Sequence, residues 1–118
     1  MANDDSMRAL TAELREFARE RDWEQFHDPK SLVLALMGEV GELAELLQWV
    51  PAPDAAAHFR DPVRHQRIGE ELSDVLTYLL RLSDVLGVDL ATAANSKLAN
   101  SRERFRPEDF RGTAPLKD

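Results

Sequence analysis

Residues 29–50 read PKSLVLALMGEVGELAELLQWV, and the spacing of their leucines decides the fold class. Leu32, Leu36, Leu43 and Leu46 return at intervals of three and four, which places them on one stripe of an α-helix. Asp28 is the expected N-cap and Pro29 the first helical residue. Pro51 and Pro53 forbid continuation beyond about Val50. One position of the stripe is not apolar. Glu39 occupies the slot where the register calls for another leucine, and Glu42 follows one turn later on the same edge. A carboxylate on an apolar face is costly unless it is paired or bound to a cation.

The next long helix repeats this arrangement. It is expected from about Pro62 to Gly87, with Gly87 as the terminating glycine and an apolar stripe of Ile68, Leu72, Val75, Leu79, Leu82 and Leu86. Glu71 and Asp74 border that stripe, and Tyr78 lies one turn beyond Asp74. Laid antiparallel, the two helices bring Glu39, Glu42, Glu71 and Asp74 together. A first helix is read from about Ser6 to Arg21 on Leu10, Leu14 and Phe17, and a fourth from Asp89 to about Phe105. A short turn is expected around Ala55 to Phe59, and an extended arm from Arg106 onward. No segment alternates with period two, so no strand is expected. The expectation is an all-α fold of four-helix-bundle type, with one domain over residues 1–112 and a tail over 113–118. Gly38 and Gly41 flank Glu39 and read as places where a neighbouring helix or a ligand comes close.

Composition narrows the function classes. At 118 residues and 43% hydrophobic, the chain can build a core but leaves apolar surface uncovered, so self-association is expected. There is no cysteine, which excludes disulfides and thiolate metal sites and favours a cytoplasmic protein. The N-terminal MANDDSMRAL carries no apolar leader, and no run approaches a membrane span. A net charge of −7 argues against a long nucleic acid as partner. It leaves room for a small phosphate ligand, because a bound cation reverses the sign of an acidic pocket.

Hard carboxylate oxygens suit Mg²⁺, with Mn²⁺ as the alternative. The other metal centre of helical bundles, the di-iron carboxylate site, needs Glu-x-x-His pairs. The three histidines, His27, His58 and His65, are read as completing none, so iron is disfavoured. Trp23 stands in the charged segment DWEQFH after the first helix, where a purely internal role fits poorly.

These residues resemble the MazG-like, or all-α NTP pyrophosphatase, superfamily. The matching pattern is Glu39-Val-Gly-Glu42 within GEVGELAELLQW, followed by Glu71-Leu-Ser-Asp74 within EELSDVLTYLL. With ERDWEQFH added, the chain looks closest to the dCTP pyrophosphatase branch, over about residues 6 to 112. The resemblance implies that Glu39, Glu42, Glu71 and Asp74 ligate Mg²⁺, and it implies a homotetramer built as a dimer of dimers. It implies a base clamp from Trp23, Trp49 and Tyr78, with His27 nearby, and phosphate contacts from Lys97 and Arg104. Ser101 stands where the family usually has Asn, and Phe105 where it has Tyr. Leu14 stands where vertebrate members of the branch can carry a base-contacting histidine.

The expected reaction is hydrolysis of dCTP or a modified dCTP to the monophosphate and pyrophosphate, a task of nucleotide-pool sanitation. Glu39 or Glu42 would serve the attacking water. No glycine-rich phosphate loop is present, so cations would have to take over that work. Two rivals are the same reaction on dUTP or other noncanonical nucleotides, and a non-catalytic helical regulatory or scaffold module.

Overall fold

The computed structural model describes residues 2–116, and among them there are helices and no strand. The elements are α1 (Ala2–Glu20), α2 (Pro29–Leu47), α3 (Ala55–His58), α4 (Pro62–Leu86), α5 (Leu90–Arg104) and α6 (Pro107–Phe110). Single 3₁₀ turns occupy Glu24–Phe26 and Ala52–Asp54. The four long helices fall where the periodicity puts them. α1 begins at Ala2 rather than Ser6, and α2 stops at Leu47, after which Val50 closes a turn by donating its amide to Leu47 O at 3.0 Å.

The starts of α2, α4 and α5 follow one local rule. Asp28, Asp61 and Asp89 each accept the backbone amide three residues ahead, from Ser31 at 2.8 Å, Arg64 at 3.1 Å and Thr92 at 3.0 Å. Each such cap is worth about 1 kcal/mol. Pro29 and Pro62 stand immediately inside two of these caps, where a missing amide costs nothing. Gly87 ends α4 at φ 69°, in the left-handed region that glycine enters without strain.

The expected extended tail needs correction. Pro107 opens the short helix α6, and Phe110 packs edge-on against Phe105 with ring centroids 5.1 Å apart. Residues 113–116 are non-helical, and the last two residues of the expected 113–118 tail lie outside the described residues.

The chain divides into two compact units, Met1–Gly87 and Val88–Asp118. In the first, α4 is the central element, with α2 packed along it and α1 against it. The α2–α4 pair is antiparallel. His27, just ahead of α2, meets Arg81 near the end of α4, whereas Glu39 and Glu42 further along α2 meet Glu71 and Asp74 further back on α4. Ala18, Leu32 and Leu80 are the fully buried apolar residues.

The stripe of α2 is as expected, with Leu32 buried and Leu36, Glu39, Leu43 and Leu46 half-buried. On α4 the expected row fails in part. Leu72, Leu79 and Leu86 are 52%, 38% and 55% exposed, while Glu71, Leu80, Arg81 and Ser83 are buried. A helix with neighbours on two sides buries two narrow faces instead of one broad stripe, so a single leucine row does not identify its core. Gly38 and Gly41 also depart from expectation. A Cβ built at either would meet nothing within 4 Å, so no close approach is made to them among the described residues. Among the described residues no helix is long and apolar enough to cross a membrane.

Candidate active site

α2 presents Glu39 and Glu42 one turn apart, and α4 presents Glu71 and Asp74 in the same way. One carboxylate oxygen from each of the four lies within 4.8 Å of the others. Unscreened acids at this separation repel, and two of them also have one oxygen out of water. Glu71 is 4% exposed and Glu39 half-buried, and in each the Oε2 atom is buried with no hydrogen-bond partner. Among the described residues Arg67 pairs with the cluster, its Nη2 3.0 Å from Glu71 Oε1, and leaves Oε2 unanswered.

Electrostatics follow from that geometry. Burial, reinforced by the charges of Glu42 and Asp74, holds the Glu39 carboxyl above the usual carboxylate range. Burial likewise raises Glu71, partly offset by Arg67. Orphaned buried acceptors in an all-oxygen donor set are what a hard divalent cation satisfies. Glu39, Glu42, Glu71 and Asp74 therefore form a candidate site whose donor set fits a hard divalent cation.

Beside the acids lies an aromatic cleft. Leu14, Phe17, Ala18, Trp23, His27, Thr77, Tyr78 and Arg81 enclose about 400 Å³ of space including its open mouth. Its far wall is set by how α1 ends. Asp22 adopts φ 55°, a left-handed conformation that Asp enters more readily than most residues. Trp23 then donates its amide to Ala18 O at 2.9 Å and Asp22 donates to Arg19 O at 3.1 Å, the paired bonds of a Schellman ending. This turn folds Trp23 back onto α1, where its ring meets Phe17 edge-on at 5.7 Å. Tyr78 follows Asp74 by one turn of α4, so this wall of the cleft stands one helical turn from the carboxylates.

Of the residues singled out from sequence, the structure brings Trp23, His27 and Tyr78 to this cleft. Trp49 is not among its lining and is 86% exposed just beyond α2. Lys97 and Arg104 lie on α5 in the second unit, where the Arg104 guanidinium sits 4.9 Å from the Phe105 ring. The histidine reading needs one correction. Glu24 and His27 do stand at the Glu-x-x-His spacing, but in the 3₁₀ turn, and His27 Nδ1 is engaged by Arg81. Among the described residues no histidine joins the acidic cluster.

Sequence reasoning missed Phe17, Thr77 and Arg81 as cleft residues. The available signal for Arg81 was a charge inside the apolar run YLLRL. Position 22 gave no signal, because an aspartate at a left-handed C′ site looks like any loop aspartate.

Comparisons with known proteins bear on the family of the chain. A family model described as the MazG nucleotide pyrophosphohydrolase domain matches residues 27–106. Rat dCTP pyrophosphatase 1 is 50% identical over 99 residues, covering 84% of this chain and 58% of that protein. Human dCTP pyrophosphatase 1 is 51% identical over 90 residues, covering 76% and 53%. The chain thus spans less than two thirds of the length of the curated relatives it matches. A crystal structure of a pyrophosphatase from Archaeoglobus fulgidus superposes with a TM-score of 0.76 at 33% identity, covering 86% of this chain and 93% of that one.

Proposed function

The chain belongs to the MazG nucleotide pyrophosphohydrolase family, and on that footing we propose that it hydrolyses dCTP or a modified dCTP to the monophosphate and pyrophosphate. The single observation that carries this reading is the convergence of Glu39, Glu42, Glu71 and Asp74 beside an aromatic cleft. Carboxylates alone would repel a triphosphate. A divalent ion held by the four acids supplies Lewis acidity, neutralising phosphate oxygens and making water a better nucleophile.

The chain's own residues do the rest. Trp23 and Tyr78 flank a base with aromatic surface, where stacking contributes roughly 1–3 kcal/mol. Glu42, the exposed member of the α2 pair, or Glu39 orients a water and accepts its proton. The water oxygen bonds to the α-phosphorus in line, the bond to the bridging oxygen breaks, and pyrophosphate leaves with that oxygen. Lys97 and Arg104 offset charge on the β and γ phosphates, a role that rests on the resemblance of α5 to the family pattern. Leu14 offers the cleft no polar group, so base choice falls to His27, Tyr78 and their neighbours.

The working form is proposed to be a homotetramer, a dimer of dimers, located in the cytoplasm. Three observations support association. The fully buried apolar core of one chain is small, the row of Leu34, Met37, Val40, Leu72, Leu76 and Leu79 is exposed, and open space surrounds Gly38 and Gly41. Trp49 would join a clamp only if supplied across such an interface.

Hydrolysis in ¹⁸O-labelled water tests the reaction. The label should appear in the nucleoside monophosphate and not in pyrophosphate. Label in pyrophosphate would put the attack on the β-phosphorus, and release of orthophosphate would mean a γ-directed enzyme.

A further inference from the structure

Arg81 is buried, 7% exposed, within the apolar run YLLRL of α4. Its Nη1 donates to Asp84 Oδ2 at 2.8 Å. Asp84 is itself held by a second arginine, with Arg15 donating from Nε to Oδ2 at 2.9 Å and from Nη2 to Oδ1 at 2.6 Å. These partners keep Asp84 ionised, its carboxyl pulled below the usual range first by the Arg15 hydrogen bond. Arg81 is therefore fixed at one end by a carboxylate that is clamped from the other side. The remaining edge of its guanidinium turns to the cleft, where Nε donates to His27 Nδ1 at 3.0 Å.

A guanidinium donates only and stays protonated. Its partner nitrogen on the imidazole must be the lone-pair acceptor, so the ring proton resides on Nε2. Burial, then the charge of Arg81, also holds the His27 pKa below its ordinary range, against a smaller opposing effect of Glu24. Among the described residues no protein group bonds Nε2, and His27 lines the cleft. The Asp84–Arg81 pair thus fixes the polarity of a cleft-lining imidazole before any ligand arrives, with Nε2–H the group left to bond one.

We propose that Arg81, anchored by Asp84, is a positioning residue that locks His27 as the Nε2–H tautomer, making the ring a hydrogen-bond donor to an acceptor on the polar edge of a pyrimidine base in the Phe17–Trp23–Tyr78 cleft. This rests on the reading of the cleft as a base site. A cytosine presents a ring nitrogen and a carbonyl oxygen as adjacent acceptors on one edge. A uracil carries a donor N–H at that ring nitrogen, so a fixed donor facing it discriminates between the two.

Two measurements on the full chain test this separately. Long-range ¹H–¹⁵N correlation spectra of the metal-free protein at pH 7, without nucleotide, report the His27 tautomer directly. The expected spectrum shows an unprotonated Nδ1 and a protonated Nε2 in one form. Arg81→Met should convert it to a mixture of tautomers, and Arg81→Lys, which keeps a donor, should partly restore the single form even if the Met variant folds poorly. A proton on Nδ1 in the native protein overturns the proposal.

The second measurement adds deoxycytidine monophosphate. The His27 Nε2–H resonance should shift, and Arg81→Met should weaken binding about five- to tenfold, the size of one hydrogen bond. In turnover, the loss should appear in KM with little change in kcat. Binding with an unmoved Nε2–H resonance removes the donor role. A correct tautomer with no binding of any pyrimidine nucleotide overturns the base-site reading and the donor role with it.

Discussion

Replacing Glu42 with glutamine should lower kcat/KM for dCTP by about 10²–10⁴-fold, the range lost with a positioned general base, while the helical content is unchanged. Glu42 is an exposed residue of α2 with no packing duty, so the substitution removes charge and basicity without opening a cavity. The amide keeps the size of the side chain and one carbonyl acceptor but cannot take a proton from water. It also subtracts one negative charge from a site where four carboxylate oxygens lie within 4.8 Å. Cation affinity should fall as well, and Asp74→Asn should reproduce that part of the effect. Steady-state kinetics with a helicity check measure both. A Glu42→Gln protein with full activity, or one active in EDTA, would remove the carboxylate cluster from the mechanism.

The second large effect is on stability. At about 100 times its dissociation constant, Mg²⁺ should stabilise the folded chain by about 2.7 kcal/mol, a rise in melting midpoint of roughly 10 °C for a domain of this size. The rise should be larger at pH 7.5 than at pH 5. Glu39 and Glu71 have folded pKa values raised above the ordinary 4.5, chiefly by burial. The fold therefore favours their protonated forms. Their contribution to metal-free stability is greatest below about pH 4.5 and is lost as pH rises through the raised folded values.

Other groups act elsewhere or with the opposite sign. Asp28 and Asp84 are held below the ordinary 3.8, and their stabilising contribution is lost as pH falls through the lowered values. His27, held below 6.5, costs stability as pH falls through its lowered value. Taking the difference between melts with and without Mg²⁺ cancels these groups and isolates the acids. Protons compete with the cation for Glu39 and Glu71, so the Mg²⁺ increment grows with pH. Glu39→Gln should be more stable than the native chain without metal at pH 7.5 and should gain little from Mg²⁺. An increment independent of pH would mean the ion binds somewhere other than this cluster.

Much of this site was legible in the sequence because its signals are local. Glu39 interrupts a leucine register, Glu71 and Asp74 repeat its spacing, and the Asp-Pro starts at residues 28 and 61 fix where both helices begin. The cleft was less legible because it depends on tertiary placement. Phe17 looked like core of α1 and is instead 46% exposed on the cleft, since the left-handed Asp22 returns Trp23 against it. Arg81 was not singled out, because its role depends on His27, 54 positions away in sequence. The exposed row of Leu72, Leu79 and Leu86 shows a different limit. Periodicity finds apolar faces but does not say whether each one is covered by the same chain or by another copy.

The most direct measurement is anomalous diffraction from crystals of this protein soaked in Mn²⁺. An anomalous peak is expected between α2 and α4, at coordination distance from carboxylate oxygens of Glu39, Glu42, Glu71 and Asp74. A map with manganese bound only elsewhere, or with those four carboxylates turned to solvent and no ion between them, would contradict it.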